Sequence, residues 1–139
     1  MQAMEVWNIW KATGDSAAVT TAGAPYGIRS RFHASAIISN MKRDSNQPRE
    51  LNAILLGDDV ALVTAPNELF DTNAVWLEEN SPTKYTLTLG YTNGHYGYIP
   101  SAYAWEYTCY ETDITYLVRG TGEEYQKCFL EMIKAMHER

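Results

Sequence analysis

The sequence predicts an α+β fold in which a mainly antiparallel sheet is backed by helices. Two apolar runs flank Gly57-Asp58-Asp59 and predict a hairpin of buried strands at about 51–57 and 60–65. The alternating segment Tyr85–Leu89 predicts a further strand at about 84–90. Residues 121–137 begin with Thr-Gly-Glu-Glu, which matches a capping box, and continue as an amphipathic helix. Strands and helices of this kind pack as two layers around one core.

The N-terminal part is less clearly patterned, and residues 1–30 have no well-defined predicted structure. Apolar side chains at its start are compatible with a short helix, whereas Gly, Ala, Ser and Thr in 13–31 predict a loop. Residues 31–41 alternate in polarity and predict a strand with Phe32 and Ile38 on one face. The polar run 42–50 is then a connection.

Length and charge restrict the class of protein. At 139 residues and 15.7 kDa the chain is predicted to form one domain over 1–139. A net charge of −6 argues against nucleic acid and against an anionic membrane surface as partners, because both require clustered Lys and Arg. The apolar runs are far shorter than the roughly 20 residues of a membrane-spanning helix, and no signal peptide is recognised. We therefore expect a soluble protein without a transmembrane segment, of unknown compartment.

Cysteine and aromatic content add two expectations. Cys109 and Cys128 are too few for a zinc cluster, and we expect them to be free thiols. The chain has ten Tyr and four Trp, and its aromatic content is concentrated between Tyr85 and Tyr125, which predicts a surface that contacts water or a ligand.

Glu68 is the first candidate for chemistry. It follows a predicted buried strand and opens a predicted helix at about 67–80, which Ser81-Pro82 ends. A carboxylate at such a junction can bind a cation. The structural alternative is a negative charge in the first turn of the helix, where it is favourable by about 0.3–1 kcal/mol.

A second candidate is the loop Asn93-Gly94-His95-Tyr96-Gly97-Tyr98, which offers imidazole and phenol groups. His95 is the obvious ligand from chemistry alone, because imidazole is the commonest metal-binding side chain. The structural alternative is an aromatic loop packed on the core. His33 and His137 belong to no recognisable ligand pattern.

The chain resembles the C-terminal part of the catalytic domain of the neutral/alkaline (non-lysosomal) ceramidase family over about residues 31–134. The resemblance rests on the order of GDDVALVTAPNELF, a helix, KYTLTLGYTNGHYGYIP, CYET and a terminal amphipathic helix. It implies that Glu68 and Tyr98 are zinc ligands and that Tyr110 helps to polarise the scissile amide. Asn67 stands where the family usually has the Gly that lets the chain turn into the site.

The resemblance further implies a zinc-dependent amide hydrolase acting on an N-acyl lipid such as ceramide. It implies a four-layer α-β-β-α sandwich, of which this chain supplies half. The family's two zinc histidines, nucleophilic serine and substrate-binding arginine have no counterpart here, so we expect the chain to be inactive alone. It is then a piece of a longer enzyme, a natural truncation, or a subunit completed by another chain. The first is favoured, because 1–11 reads as a segment interrupted midway.

Two further expectations concern partners. Without its N-terminal half the chain should expose apolar surface and associate with itself. The alternative function is a non-catalytic, aromatic-rich module that binds a ligand or a subunit. Its contact residues would be Tyr91, Tyr96, Tyr103, Trp105 and Tyr107.

Overall fold

Two units, each with its own hydrophobic core, make up the chain in the computed structural model, which describes residues 2–44, 47–107 and 109–138. The helical unit comprises 1–47 and 108–116, and the sheet unit comprises 48–107 and 117–139. Parts of the predicted segments 1–11 and 42–50, at residues 1 and 45–46, lie outside the described residues. The α+β class is confirmed, and a single domain over 1–139 stays a prediction.

The helical unit consists of short helices packed around small apolar side chains. Its core is formed by Ala3, Val6, Val19, Ile28 and Ala34. The carboxylate of Asp15 accepts a hydrogen bond from the backbone N–H of Ala17, and this caps the second helix. The helices are α1 (Gln2–Thr13), α2 (Ser16–Gly23), α3 (Arg31–Asn40) and, from a later part of the chain, a helix at Tyr110–Ile114; a 3-10 turn spans Ala24–Tyr26.

Two predictions for this unit are wrong. The strand predicted at 31–41 is helix α3, because the Ser30 hydroxyl caps it by accepting from the N–H of His33. Ala34 is fully buried, and Ile37 and Ile38 pack against the same core, a helical spacing that the alternation had concealed. The loop predicted over 13–31 contains α2, since Ala and Val are compatible with helix once Asp15 supplies the cap.

The sheet unit contains a mixed three-stranded sheet in the order β1-β2-β4. β1 and β2 form the predicted antiparallel hairpin, and β4 pairs parallel to β2 because a helical connection separates them. The hairpin, the strand at Tyr85–Leu89 and the terminal helix are confirmed, but the first hairpin strand is not buried, since Ile54 and Leu56 are exposed. The elements are β1 (Asn52–Leu56), β2 (Val60–Thr64), β3 (Glu68–Leu69), α4 (Asp71–Asn80), β4 (Tyr85–Leu89), β5 (Tyr98–Ile99), α5 (the Tyr110–Ile114 helix of the helical unit) and α6 (Thr121–His137), with a 3-10 turn at Ala102–Glu106.

Helices α4 and α6 cover one face of this sheet and complete the core. Alternate strand residues such as Ala61 and Val63 are fully buried beneath Leu77 of α4 and Phe129 and Ile133 of α6. The Asn73 side chain joins the two helices, since its oxygen accepts from Gln126 at 3.0 Å and its nitrogen donates to the Ile99 carbonyl at 3.0 Å. This packing holds β5 against the start of α4.

Two details of the predicted helices need correction. Helix α4 begins at Asp71 rather than near residue 67, because Glu68 and Leu69 pair with β5 instead. The predicted capping box of α6 is absent: Gly120, in a left-handed conformation (φ 96°), occupies the N-cap, and the Thr121 hydroxyl donates to the Val118 carbonyl. Glu124 pairs with Lys127 on the surface.

The remaining predictions concern the thiols and the membrane. Cys109 and Cys128 are free thiols, as expected, although Cys128 is exposed and does not belong to the buried face of α6. Within the described residues, none of the helices combines the length and the apolar character required to cross a bilayer.

Candidate functional site

Glu68 and Tyr98, thirty positions apart in sequence, are direct partners in the parallel pair β3–β5. The Glu68 N–H donates to the Gly97 carbonyl at 3.0 Å, and the Phe70 N–H donates to the Ile99 carbonyl at 3.2 Å. Successive strand residues point to opposite faces, and Leu69 and Ile99 both face the core. The side chains of Glu68 and Tyr98 therefore share the other face, on strands about 4.8 Å apart.

The segment that precedes Glu68 is held by backbone hydrogen bonds to the loop after β4. The Pro66 carbonyl accepts from Tyr96 at 2.8 Å, and the Asn67 carbonyl accepts from Tyr91 at 3.0 Å. Gly90 allows this approach, because a Cβ there would lie 2.9 Å from the Asn67 carbonyl oxygen. The backbone around Glu68 is thus supported on both sides.

Asn67 fixes the same loop with its side chain. The amide is fully buried, and its nitrogen donates to the carbonyls of Tyr96 at 2.8 Å and Gly97 at 3.4 Å. Its oxygen accepts from the Tyr125 hydroxyl on α6 at 3.3 Å. Among the described non-glycine residues, only Tyr91 and Asn93 have positive φ, so Asn67 requires no glycine-like conformation. Asn67 in place of the family's Gly is therefore compatible with this turn.

Tyr91 is a direct partner of Glu68, a contact that the sequence did not predict. Its hydroxyl donates a hydrogen bond to Oε2 of Glu68, and this bond raises the pKa of Tyr91 to about 12. The Tyr91 backbone is left-handed (φ 53°), and its ring stacks on His95 with centroids 4.8 Å apart. The only available signal was a tyrosine directly after Gly90, which does not reveal a left-handed residue.

The surroundings leave the Glu68 carboxylate available to a cation. Tyr91 occupies one of its oxygens, and none of the ion pairs in the described chain includes Glu68. The Arg49 guanidinium lies over the Tyr96 ring, 4.2 Å from its centroid. Glu68 is half-buried, and of its two carboxylate oxygens only Oε2 has a hydrogen-bond partner within the described residues; with the Tyr98 phenol it makes a suitable pair of oxygen donors for a divalent metal.

Glu68 and Tyr98 fit zinc as two members of a larger set of ligands. A catalytic zinc normally has three protein ligands and an open position. Over the described ranges, no cluster of three or more His, Cys, Asp and Glu side chains is arranged to hold a metal ion. His95 stacks on Tyr91, His33 belongs to the helical unit and His137 ends α6. The metal roles of Glu68 and Tyr98 stay predictions. Such a zinc site would need further ligands beyond these side chains.

Tyr110 is the first residue of α5 in the helical unit, whereas Glu68 and Tyr98 belong to the sheet unit. Its ring packs edge-to-face on Phe32 with centroids 5.5 Å apart, and its side chain is half exposed. Together with Cys109 and Asp113 it lines an open cavity of about 490 Å³. The catalytic role of Tyr110 stays a prediction.

A charged network lies in the same unit, centred on Asp113. Its carboxylate accepts hydrogen bonds from the Arg29 guanidinium and from the Ser30 hydroxyl at 3.2 Å, and His33 Nδ1 lies 3.9 Å away. That nitrogen accepts from the Arg29 N–H at 3.3 Å. Burial lowers the pKa of His33; Asp113 opposes this effect and Arg29 adds to it. His33 is therefore part of the structure at the start of α3.

Comparisons with known proteins give no relative for this chain. No protein-family model matches the sequence. A comparison with curated proteins and a comparison with solved structures also return no match.

Proposed function

We propose that this chain is the C-terminal portion of a zinc-dependent amide hydrolase of the neutral/alkaline ceramidase type. The observation that supports the proposal most strongly is the β3–β5 register, which places Glu68 beside Tyr98 on a face turned away from the core. Histidine ligands come from another part of the complete protein or from another chain, and without them the chain is inactive.

Each residue of the site then has a defined task. Glu68 and Tyr98 would hold the metal, which when bound supplies a Lewis acid for the amide carbonyl and lowers the pKa of a bound water. The hydrogen bond from Tyr91 fixes the Glu68 carboxylate and leaves Oε1 for the metal. For Tyr110, the resemblance implies a hydrogen bond to the oxyanion that develops on the amide.

The substrate class follows from two separate arguments. The amide is the group that the resemblance implies, and this donor set suits it, because its carbonyl needs polarisation and its tetrahedral oxyanion needs a donor. The N-acyl lipid, with ceramide as the model compound, rests on the resemblance alone. A related site can accept other acyl groups.

The experiment is an amide-hydrolysis assay on the product of the complete reading frame that encodes this chain. N-acylsphingosine and a short-chain N-acyl amine are offered, and fatty-acid release is measured. We expect Glu68→Gln and Tyr98→Phe to reduce kcat/KM by about 100-fold or more, and Tyr110→Phe to reduce kcat by about 100-fold. Tyr96→Phe is the matched control, because Tyr96 lies two residues before Tyr98. Failure of the unmutated protein to hydrolyse any N-acyl compound would contradict the proposal.

A second candidate, a non-catalytic binding module, is favoured by one observation. Tyr103 and Tyr107 are 65% and 57% exposed, and their hydroxyls are hydrogen-bonded at 2.8 Å. Exposed paired tyrosines are typical of contact surfaces. For a binding module, the double variant Tyr103→Ala, Tyr107→Ala would lose ligand or subunit binding. Tyr98→Phe would leave that binding unchanged.

A further inference from the structure

The sheet of the sheet unit has a second face that α4 and α6 do not cover. This outer face consists of strand positions 52, 54, 56, 60, 62, 64, 85, 87 and 89, which alternate with the positions that face the core; Thr64 at its edge is itself buried. Seven of the nine residues are apolar or aromatic, and none is charged. The strand register places Ile54, Leu62 and Leu87 in one row across the three strands, and Leu56, Val60 and Tyr85 in the next.

The outer face is unusually exposed for so apolar a surface. Its five largest exposed side chains, Ile54, Leu56, Tyr85, Leu87 and Leu89, are each 44–56% exposed. At roughly 200 Å² for each fully exposed side chain, together they present about 500 Å², near the upper end of the largest apolar patch that monomeric proteins expose. Such an area is expected to be covered by another apolar surface.

We propose that two copies of this chain associate through their outer faces, packed sheet on sheet about a two-fold axis. Two such faces would bury about 1,000 Å² in total, which reaches the lower limit for a specific interface. A two-fold axis brings the same surface into contact with itself, and an uncharged face does so without burying like charges. Two sheets pack in this way about 10 Å apart, with their side chains interdigitated.

The test is the oligomeric state of the 139-residue chain, measured by sedimentation velocity from about 1 to 200 µM, the range in which an interface of this size associates. We expect a monomer–dimer equilibrium for the unmutated chain and a monomer for Leu87→Lys. Val75→Lys is the matched control, because Val75 is 49% exposed on α4 and lies off the outer face. It should dimerise like the unmutated chain.

A second variant at Leu87 distinguishes a loss of dimerisation from misfolding of Leu87→Lys. Leu87→Thr keeps the preference for strand and removes apolar area, and we expect it to weaken dimerisation at least about tenfold. Circular dichroism shows whether Leu87→Lys folds; if it does not, Leu87→Thr decides. An unmutated chain that is monomeric throughout overturns the proposal and leaves the face to a different protein. Dimers of both Leu87 variants that are as tight as those of the unmutated chain also overturn the proposal. An open series of larger species overturns it as well. Glu68 lies off the outer face, so Glu68→Gln should dimerise normally, and a failure to dimerise can be distinguished from a failure to hydrolyse an amide.

Discussion

The hydroxyl of Tyr91 donates a hydrogen bond to the carboxylate of Glu68, 23 residues earlier in the chain. The bond links the loop after β4 to β3, at the position where Glu68 faces its partner Tyr98. Tyr91 adopts a left-handed conformation to make it, which costs a non-glycine residue roughly 1 kcal/mol or more. In the proposed metal site, this bond would orient the carboxylate before the cation binds.

The first prediction concerns the ionisation of Tyr91. Its pKa is raised to about 12, so the hydrogen bond to Glu68 is fully present below the ordinary tyrosine value of 10 and is lost as the pH rises through 12. We expect Glu68→Gln to return this pKa towards 10, because the negative acceptor is gone. Tyrosine Cζ chemical shifts measured against pH would show it. Glu50→Gln is the control, and an unchanged Tyr91 titration in Glu68→Gln would refute the assignment.

The second prediction concerns Asn67. Asn67→Ala leaves the Tyr96 and Gly97 carbonyls and the Tyr125 hydroxyl without this buried partner. The free energy of unfolding should fall by about 2–4 kcal/mol, as measured by urea denaturation. Asn67→Gly, which introduces the family's usual residue, should be equally destabilising. The control is Asn80→Ala: the Asn80 amide is exposed and donates to the Trp76 carbonyl of its own helix, so the substitution should cost less than about 1 kcal/mol. Equal losses in the two Ala variants would argue against this role of Asn67.

The third prediction concerns Gly90. In Gly90→Ala the new Cβ would lie 2.9 Å from the Asn67 carbonyl oxygen, and a backbone atom cannot move aside as a flexible side chain does. We expect a loss of about 1–3 kcal/mol in the free energy of unfolding. Gly57→Asn is the comparison, because Gly57 has open space and a left-handed conformation that Asn tolerates. A Gly90→Ala protein as stable as the unmutated chain would show that the two segments are not in close contact.

The fourth prediction is a loss of stability in acid that depends on His33. Its pKa in the folded chain lies below the ordinary value of 6.5, mainly through burial. As the pH falls below about 6.5 the unfolded chain therefore binds a proton that the folded chain does not, and the free energy of unfolding decreases until the folded pKa is passed. His33→Asn keeps an acceptor for the Arg29 N–H and should reduce this decrease. Urea denaturation near pH 7.5 and near pH 5.5 tests it, and identical pH dependence in the two proteins would contradict it.

The elements that could be predicted are those whose local pattern and tertiary packing agree. The Gly57-Asp58-Asp59 turn lies between two apolar runs, and these form the hairpin. Helix α3 was missed because its residues alternate in polarity and are also spaced for a helix, and the choice depended on contact with the core at Ala34. The strand at Glu68–Leu69 was missed because two residues carry no periodicity, and it exists only through pairing with β5.

The candidate site could be predicted only in part, because some of its contacts depend on tertiary packing that no local pattern reveals. The resemblance identified Glu68 and Tyr98, and the β3–β5 register shows them side by side. Tyr91 was not identified as a partner of Glu68, because its position depends on a left-handed backbone and on the space left by Gly90. Asn67 appeared as a departure from a family pattern, whereas in the structure it is the buried link between the loop and α6.

The most direct measurement is the zinc content of the purified product of the complete reading frame, determined by mass spectrometry of the metal. We expect about one zinc per chain in the unmutated protein and in Tyr96→Phe, and a loss of most of it in Glu68→Gln and Tyr98→Phe. An unmutated protein free of zinc after reconstitution, or full zinc content in both ligand variants, would contradict the assignment of Glu68 and Tyr98 as metal ligands.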